Sequence, residues 1–423
     1  MPRPPPSYSE LVPSDSPSPL LRGSSPLRLA EFRALAIAGL LSATGDQLAR
    51  VALSVLVYNR TSSALLTGLT YALTFLPAAI GGPLLSGLAD RRPRRQVMVA
   101  ADLIRAVLVT TMAAPGLPLA ALLALLVAMN VLESPFDAAR AALVPDVTGD
   151  LYVAALVTDR TLQQTAQVLG FAGSGLLLLV FSPPIALLAD AATFLISAVL
   201  LQRRVRRRPP AADRVPGTDH AGFKWLARVR RAVSDAQLGM GTIWTQRPVR
   251  RAVLLTWLVS AFAIVPEGLA APYAHQLGGG SLLVALILTA NPVGNILSGL
   301  PASRWSQRRP ERLLPPLAQL AVLPLALCAL TPPAPIVLTV IAVSGAGMTV
   351  SLIARTVFVA GVPAHVRGRA FGVAGTGILV GQGLAVAVAG AAASTFAPST
   401  VVAYAGMLGS TTTVLLLAAT RDG

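Results

Sequence analysis

From Phe32 onward the chain is a succession of apolar stretches broken by short runs of Pro, Gly and Arg. Each stretch is close to the roughly 20 residues a helix needs to cross a bilayer. A helix of a soluble domain keeps one face apolar and the rest polar, whereas these stretches are apolar all the way round. The composition agrees: 54% of the 423 residues are hydrophobic and 12% are charged, about half the charge of an ordinary soluble domain. An ordinary cytosolic enzyme is thereby excluded, and a chain that crosses a membrane many times is expected.

The expected spans are 33–58, 64–89, 97–114, 118–143, 156–181, 184–202, 250–274, 281–303, 312–330, 334–361, 369–395 and 398–419. The fold class is therefore an all-α integral membrane protein, with twelve transmembrane helices in two pseudo-symmetric six-helix bundles. Residues 1–32, rich in Pro and Ser, read as a disordered cytoplasmic tail. Residues 33–202 form the N-terminal bundle, 203–249 a cytoplasmic linker, and 250–423 the C-terminal bundle. Within the linker, Trp225, Val229, Val233 and Ala236 recur at helical spacing opposite Lys224, Arg228 and Arg231, the pattern of a basic amphipathic helix lying on a membrane surface.

The net charge of +16 suggests nucleic acid until its positions are mapped. Arg91, Arg92, Arg94 and Arg95 follow the second span, and a dense basic run occupies 203–251. Arg304, Arg308, Arg309 and Arg312 follow the eighth span, and Arg367 and Arg369 the tenth. The alternate loops carry no Lys or Arg except Arg60. Basic residues stay on the cytoplasmic side, so both termini are expected there, with anionic lipids rather than nucleic acid as the partner of the positive charge. Arginine in place of almost all lysine, with abundant Ala, Gly and Pro, suits a GC-rich bacterial genome and hence a bacterial inner membrane.

The halves also resemble each other. Gly45-Asp46 corresponds to Pro266-Glu267, Ala89-Asp90-Arg91 to Ala302-Ser303-Arg304, and Arg140 to Arg355, at nearly constant separation. Such repeats are how many secondary transporters build a site at the bilayer midplane.

Ionisable groups inside hydrocarbon are costly, so each is a candidate for function. Asp46 sits near the middle of the first span with Arg50 one turn on; it is either half of an i,i+4 ion pair or a carboxylate that loads and releases a proton. Glu267 has no basic neighbour in sequence and follows Pro266, which favours proton exchange. Glu133, Asp137 and Arg140 share one face of the fourth span, where Pro135 is expected to break the helix. Asp137 and Arg140 read as a self-neutralising structural pair, and Glu133 as a residue able to line a cavity. Asp102 and Arg105 lie near a span end, where snorkelling is open to them, and Asp190 has a structural reading too. Arg355 requires an acidic partner or an anionic substrate. Gln163, Gln164, Gln167 and Gln382 either contact a polar substrate or bond across helices. Gly372, Gly375, Gly377, Gly381, Gly383 and Gly390 suit close packing of the eleventh span, and Asn291-Pro292-Val293-Gly294 suits a hinge or kink in the eighth.

No catalytic constellation is present. His220, His275 and His365 are scattered, the single Cys328 allows neither an intramolecular disulfide nor a Cys-based metal site, and there is no phosphate-cradling Gly-Lys-Ser/Thr loop. No enzyme activity, metal or cofactor is expected.

The segment Ser86-Gly-Leu-Ala-Asp90-Arg91-Arg-Pro93-Arg94-Arg95 resembles the signature Gly-x-Leu-Ala-Asp-Arg-x-Gly-Arg-Arg/Lys of the major facilitator superfamily. Asp90, Arg91, Arg94 and Arg95 match, while Ser86 and Pro93 stand where the family has glycine. Further stretches resemble its enterobactin-exporter and macrolide-efflux branch: Gly45-Asp46 with Arg50-Val-Ala52, Asp102-Leu-Ile-Arg105, Ala139-Arg140-Ala-Ala-Leu143-Val-Pro145-Asp146, Asp190-Ala-Ala-Thr-Phe194 and Arg367-Gly-Arg369-Ala-Phe-Gly372. Together they cover most of residues 33–395. The resemblance implies proton-driven export of an amphipathic small molecule such as a drug, siderophore or secondary metabolite by a monomer. It also implies that Asp90, Arg91, Arg94 and Arg95 form a cytoplasmic latch between the bundles. An importer or uncoupled facilitator of the same fold, or a non-transporting sensor, is the alternative.

Overall fold

The computed structural model describes residues 25–78, 92–208, 225–305 and 310–419, which are helical with short connections and contain no strand. The first group of helices is α1 (Ala30–Thr61), α2 (Ala64–Ala72), α3 (Arg94–Met112), α4 (Leu119–Thr148), α5 (Tyr152–Val180) and α6 (Pro183–Arg204). A linker helix, α7 (Trp225–Thr245), follows. The second group is α8 (Arg247–Ala263), the single turn α9 (Val265–Gly268), α10 (Ala270–Gln276), α11 (Ser281–Trp305), α12 (Pro310–Val322), α13 (Ala334–Gly347), α14 (Val350–Gly361), α15 (Ala364–Ala392) and α16 (Pro398–Ala419). A 3-10 segment, Leu323–Leu330, continues α12 where Pro324 interrupts it.

Among the described residues, nine helical stretches are long and apolar enough to cross a membrane, and one of them, 119–180, is α4 and α5 joined by the 3-10 turn Gly149–Leu151. With the shorter 64–78 and the more polar α3, this arrangement is consistent with twelve spans. Large apolar side chains on the outer faces are exposed, as with Val157, Leu176 and Val180 on α5 and Val388 on α15. In water such continuous exposure invites association; in lipid it costs nothing.

Within the first group α1 packs on α5, α6 and α2, and α3 lies against α4 and α6; within the second, α8 meets α14, α15 and α16, and α11 lies along α13. The groups meet through α5 against α11 and α2 against α15. Both seams draw together toward the arginine-poor ends. Ser281 Oγ donates to the Leu178 carbonyl at 3.1 Å, and the Tyr58 and His275 rings stand edge to face at 5.6 Å. Gly68 and Gly390 bring α2 and α15 so close that a Cβ on either would fall within about 3 Å of the other's Cα, the close approach that small residues permit. The largest apolar cluster joins the groups here, with Val51, Tyr71 and Phe171 packed among Leu269, Tyr273, Val284 and Val386. Arg60, the exception in the charge pattern, donates to the Leu117 carbonyl at 3.0 Å and ties two arginine-poor loops together.

Several expectations need correction. Residues 25–32 are structured, with a 3-10 turn over Pro26–Arg28, α1 starting at Ala30 and Pro26 and Phe32 buried, while the rest of the expected disordered tail, 1–24, lies outside the described residues. Pro135 does not break its helix; α4 runs through it and through Pro145, because neighbouring turns hold the geometry of a helix that cannot trade its bonds for water. Asn291–Gly294 does not interrupt α11 either. A Cβ at Gly294 would strike the Ala342 carbonyl, and one at Gly345 the Asn291 carbonyl, so the motif serves helix contact. Pro266 does break its span, which divides after Ala263 and again at Leu269.

The linker helix has two faces rather than one. Gly239 and Ile243 are buried against α15 and α8, and Asp235 pairs with Arg369 at 2.8 Å. Val233 and Ala236, from the stripe read in the sequence, remain exposed; the side chains of Lys224, Trp225, Arg228, Val229 and Arg231 lie outside the described residues.

Candidate functional site

A cavity of about 530 Å³ lies between the two groups, lined from the first by α1, α3, α4 and α5 and from the second by α8, α9, α11 and α15. Its walls carry Asp46, Arg50, Arg105, Glu133, Asp137, Arg140, Arg160 and Glu267. Ionisable groups in a membrane protein face cavities or one another, and both occur here.

Asp46, midway along α1, ion-pairs with Arg105 of α3, not with Arg50 as its spacing suggests. Arg105 is 1% exposed, also donates to Ser42 Oγ at 3.2 Å, and lies 4.3 Å over the Phe194 ring. Asp102 is fully buried and accepts from Ser197 Oγ at 2.6 Å. Neither snorkels, because α3 turns this face toward α1 and α6 rather than along the membrane edge. Asp190 is likewise buried, beside Gly45 and Thr193. Arg50 instead donates to Gln47 Oε1 at 3.3 Å and lies 5.5 Å over the Phe75 ring.

Arg140 and Asp137 form no direct ion pair. Arg140 ion-pairs with Asp159 of α5, and Asp137 is exposed to the cavity beside Glu133. A residue three positions along a helix is near in sequence, but α5 crosses α4 here and supplies the better partner.

Glu267 lies on the single turn α9 and is buried; Tyr71 of α2 donates its hydroxyl to Glu267 Oε2 at 2.8 Å, across the seam between the groups. The carboxylates of Asp46 and Glu267 thus approach one cavity from opposite sides. Gln164 Nε2 donates to Asn295 Oδ1 of α11 at 3.3 Å, and Gln163 bridges Arg160 and Asp159. Gln167 and Gln382 line the cavity. So the glutamines divide between bonding across helices and facing the open space.

A second chamber of about 420 Å³ shares Arg160, Gln164, Asn295 and Met348 with the first and extends toward the arginine-rich ends of α14 and α15. Arg355 lines it and lies 5.5 Å over the Phe371 ring. Among the described residues it has no acidic partner within ion-pair distance.

Asp90 and Arg91 lie outside the described residues. Arg94 pairs with Asp146 at 2.7 Å and donates to the Ala142 carbonyl at 2.6 Å. Arg95 donates to the carbonyls of Gln202 and Val205 at 3.4 and 3.1 Å, satisfying the open end of α6. In this conformation both hold the first group together, and neither has a partner in the second among the described residues. Among the described residues no cluster of His, Cys, Asp and Glu could hold a metal ion.

The sequence reading missed Tyr71, Asp159, Arg160, Asn295 and Trp257. Asp159 and Arg160 carried a signal, two adjacent charges inside an expected span. Tyr71 and Asn295 carried none, since their roles depend on which helix lies opposite.

The arrangement has known counterparts. A family model described as Major Facilitator Superfamily matches residues 35–267. Among solved structures, the chain is similar to a POT family transporter crystallised with a thioalcohol-conjugated peptide, at a TM-score of 0.71 and 11% identity over 92% of this chain and 95% of that one. It is similar to the nucleoside transporter NupG at 0.69 and 15%, over 92% and 98%. A bacterial homologue of the human lysosomal transporter Spinster, in an inward-facing and occupied conformation, follows at 0.65 and 16%, over 94% and 96%. No curated protein matches. Identities this low establish a shared fold, not a shared substrate. With more than half of its length matched by the family model, and with two helix groups enclosing a charged cavity, the chain belongs to the Major Facilitator Superfamily.

Proposed function

We propose that this transporter exports an amphipathic small molecule by proton antiport, alternating access between the two sides of a bacterial inner membrane. The observation that carries the reading is the position of Glu267: a buried carboxylate on a one-turn helix, bonded across the seam to Tyr71 and facing a cavity that also holds Asp46 and Glu133. A group whose proton affinity depends on contacts across the seam changes that affinity when the seam opens, and that is what coupling requires. Packing at the arginine-poor ends closes the cavity on that side, which with cytoplasmic termini is an inward-facing state. The resemblance to the enterobactin-exporter and macrolide-efflux branch supports the outward direction. Asp90, Arg91, Arg94 and Arg95 would then engage the second bundle when the other side opens.

The test is transport in proteoliposomes across a panel of dyes, antibiotics and siderophores, with and without a pH gradient. Glu267→Gln keeps the size and an acceptor for Tyr71 but cannot titrate. The expected result is counterflow retained and gradient-driven accumulation lost. Accumulation that survives with an intact pH response overturns the coupling role, and accumulation in the direction of the proton gradient makes the protein an importer.

A further inference from the structure

The two chambers differ in charge. The larger carries four acids and four arginines on its walls, Arg160 among them. The smaller carries two arginines, Arg160 and Arg355, and no acid among the described residues. Arg105 and Arg140 each have an aspartate, and Arg50 shares its cavity with Glu133 and Glu267. Among the described residues, Arg160 hydrogen-bonds Gln163 at 3.3 Å, and its neighbour Asp159, though close by, makes its ion pair with Arg140. Arg355 lies over the Phe371 face and has no acidic partner among the described residues. Both side chains are exposed and line the chamber, where their like charges repel one another, and a charge inside a membrane protein faces a water-filled cavity or a counter-charge. Trp257, Phe358, Phe371 and Ile378 form an apolar and aromatic part of the wall, with the Phe358 and Phe371 rings 4.4 Å apart, while Gln164, Asn295, Thr256, Thr349 and Ser351 line the rest with polar groups. Trp257 spends its indole N–H on the Ala374 carbonyl at 2.8 Å, leaving its ring as an apolar surface.

We infer that this chamber is an anion subsite, in which Arg160 and Arg355 hold the carboxylate, sulfonate or phosphate of an amphipathic organic anion whose apolar body lies against Trp257, Phe358 and Phe371. The forked guanidinium suits such planar anions. Arg160 comes from the first helix group and Arg355 from the second, so one bound anion bridges both. Calling that anion cargo rests on the transport reading; its binding does not.

The test is equilibrium dialysis of the purified full-length protein with 2-naphthoate, its neutral analogue 2-naphthamide, and inorganic phosphate, with no gradient present. Naphthoate is expected to bind at least tenfold more tightly than either comparison ligand, since naphthamide lacks the charge that the arginines hold and phosphate lacks the apolar body that the rings hold. Arg355→Gln and Arg160→Gln are expected each to weaken it about tenfold, with Arg355→Lys intermediate. Dihexanoylphosphatidylglycerol that displaces naphthoate would mark the anion as a lipid headgroup; failure to displace would mark it as a soluble acid. Equal binding of naphthoate and naphthamide by the unmutated protein overturns the subsite whatever the variants do, as does naphthoate binding unchanged in both glutamine variants. Loss of proton coupling in Glu267→Gln with arginine-dependent naphthoate binding intact would separate the two proposals.

Discussion

The Tyr71 hydroxyl donates to Glu267 Oε2 at 2.8 Å, joining α2 of the first helix group to α9 of the second. Both residues are buried, Tyr71 within the cluster that closes the arginine-poor side and Glu267 between its members Val265 and Leu269. Tyr71→Phe removes only the donor, so its cost measures that bond. A hydrogen bond to a charged acceptor is worth about 1.5–3 kcal/mol, a neutral one about 1 kcal/mol. Thermal unfolding of the detergent-solubilised protein is expected to fall by a few degrees, and by nothing further when Tyr71→Phe is combined with Glu267→Leu, which removes the acceptor.

The ion pair between Asp46 and Arg105 recasts what a substitution at Asp46 can report. Arg105 is too deeply buried to reach water, so Asp46→Asn strands its charge. Breaking a buried pair from one side costs about 3–5 kcal/mol, whereas replacing both partners with apolar groups is often nearly neutral. Asp46→Asn is expected to express poorly and melt early, and Asp46→Leu combined with Arg105→Met to recover most of the loss. A double-mutant cycle on unfolding midpoints checks this. Additive losses would show that the two side chains do not act on each other.

These pairs mark the boundary of what a single sequence discloses. The spans were legible because a helix in lipid must be apolar throughout and about 20 residues long, and arginines sort by membrane side. Asp46, Glu133, Glu267 and Arg355 also stood out in the sequence, since charge in hydrocarbon is rare, and all four line a cavity. Their partners were not legible. Asp46 has Arg50 one turn away and pairs with Arg105 instead; Arg140 has Asp137 three residues away and pairs with Asp159. Spacing along one helix reports neighbours on that helix, and the choice between them and a partner on another helix depends on how the two cross. Pro135 and Pro292 misled for a related reason: in water a proline frees a helix to end, while here the surrounding helices hold α4 and α11 continuous.

Gly390 and Gly68 set the distance between α2 and α15. A Leu at 390 cannot be accommodated by a shift of a flexible side chain, because the atoms in its way are backbone. Gly390→Leu is therefore expected to disfavour the closed arginine-poor side and populate the opposite state. Cys328 is the single cysteine and is buried, so one introduced at the cavity residue Gln167 reports cleanly. Labelling of Gln167→Cys by an impermeant maleimide from the arginine-poor side should rise several-fold in the Gly390→Leu background. An unchanged rate would show that this contact does not govern closure.

The linker helix α7 offers two contacts of different worth. Asp235 and Arg369 are both about half exposed, 48% and 47%, and exposed ion pairs contribute about 0–1 kcal/mol. Ile243 is fully buried among Val249, Phe358, Val362 and Ala370, and truncating a buried isoleucine to alanine costs about 2–5 kcal/mol. Hydrogen exchange across 225–245 should therefore accelerate strongly in Ile243→Ala and barely in Asp235→Ala. The reverse order would mean that charge, not burial, holds the helix against α8 and α15. Because Phe358 also lines the smaller chamber, undocking α7 is expected to loosen that wall too, so exchange at the end of α14 should rise with it in Ile243→Ala and stay at the parental rate in Asp235→Ala.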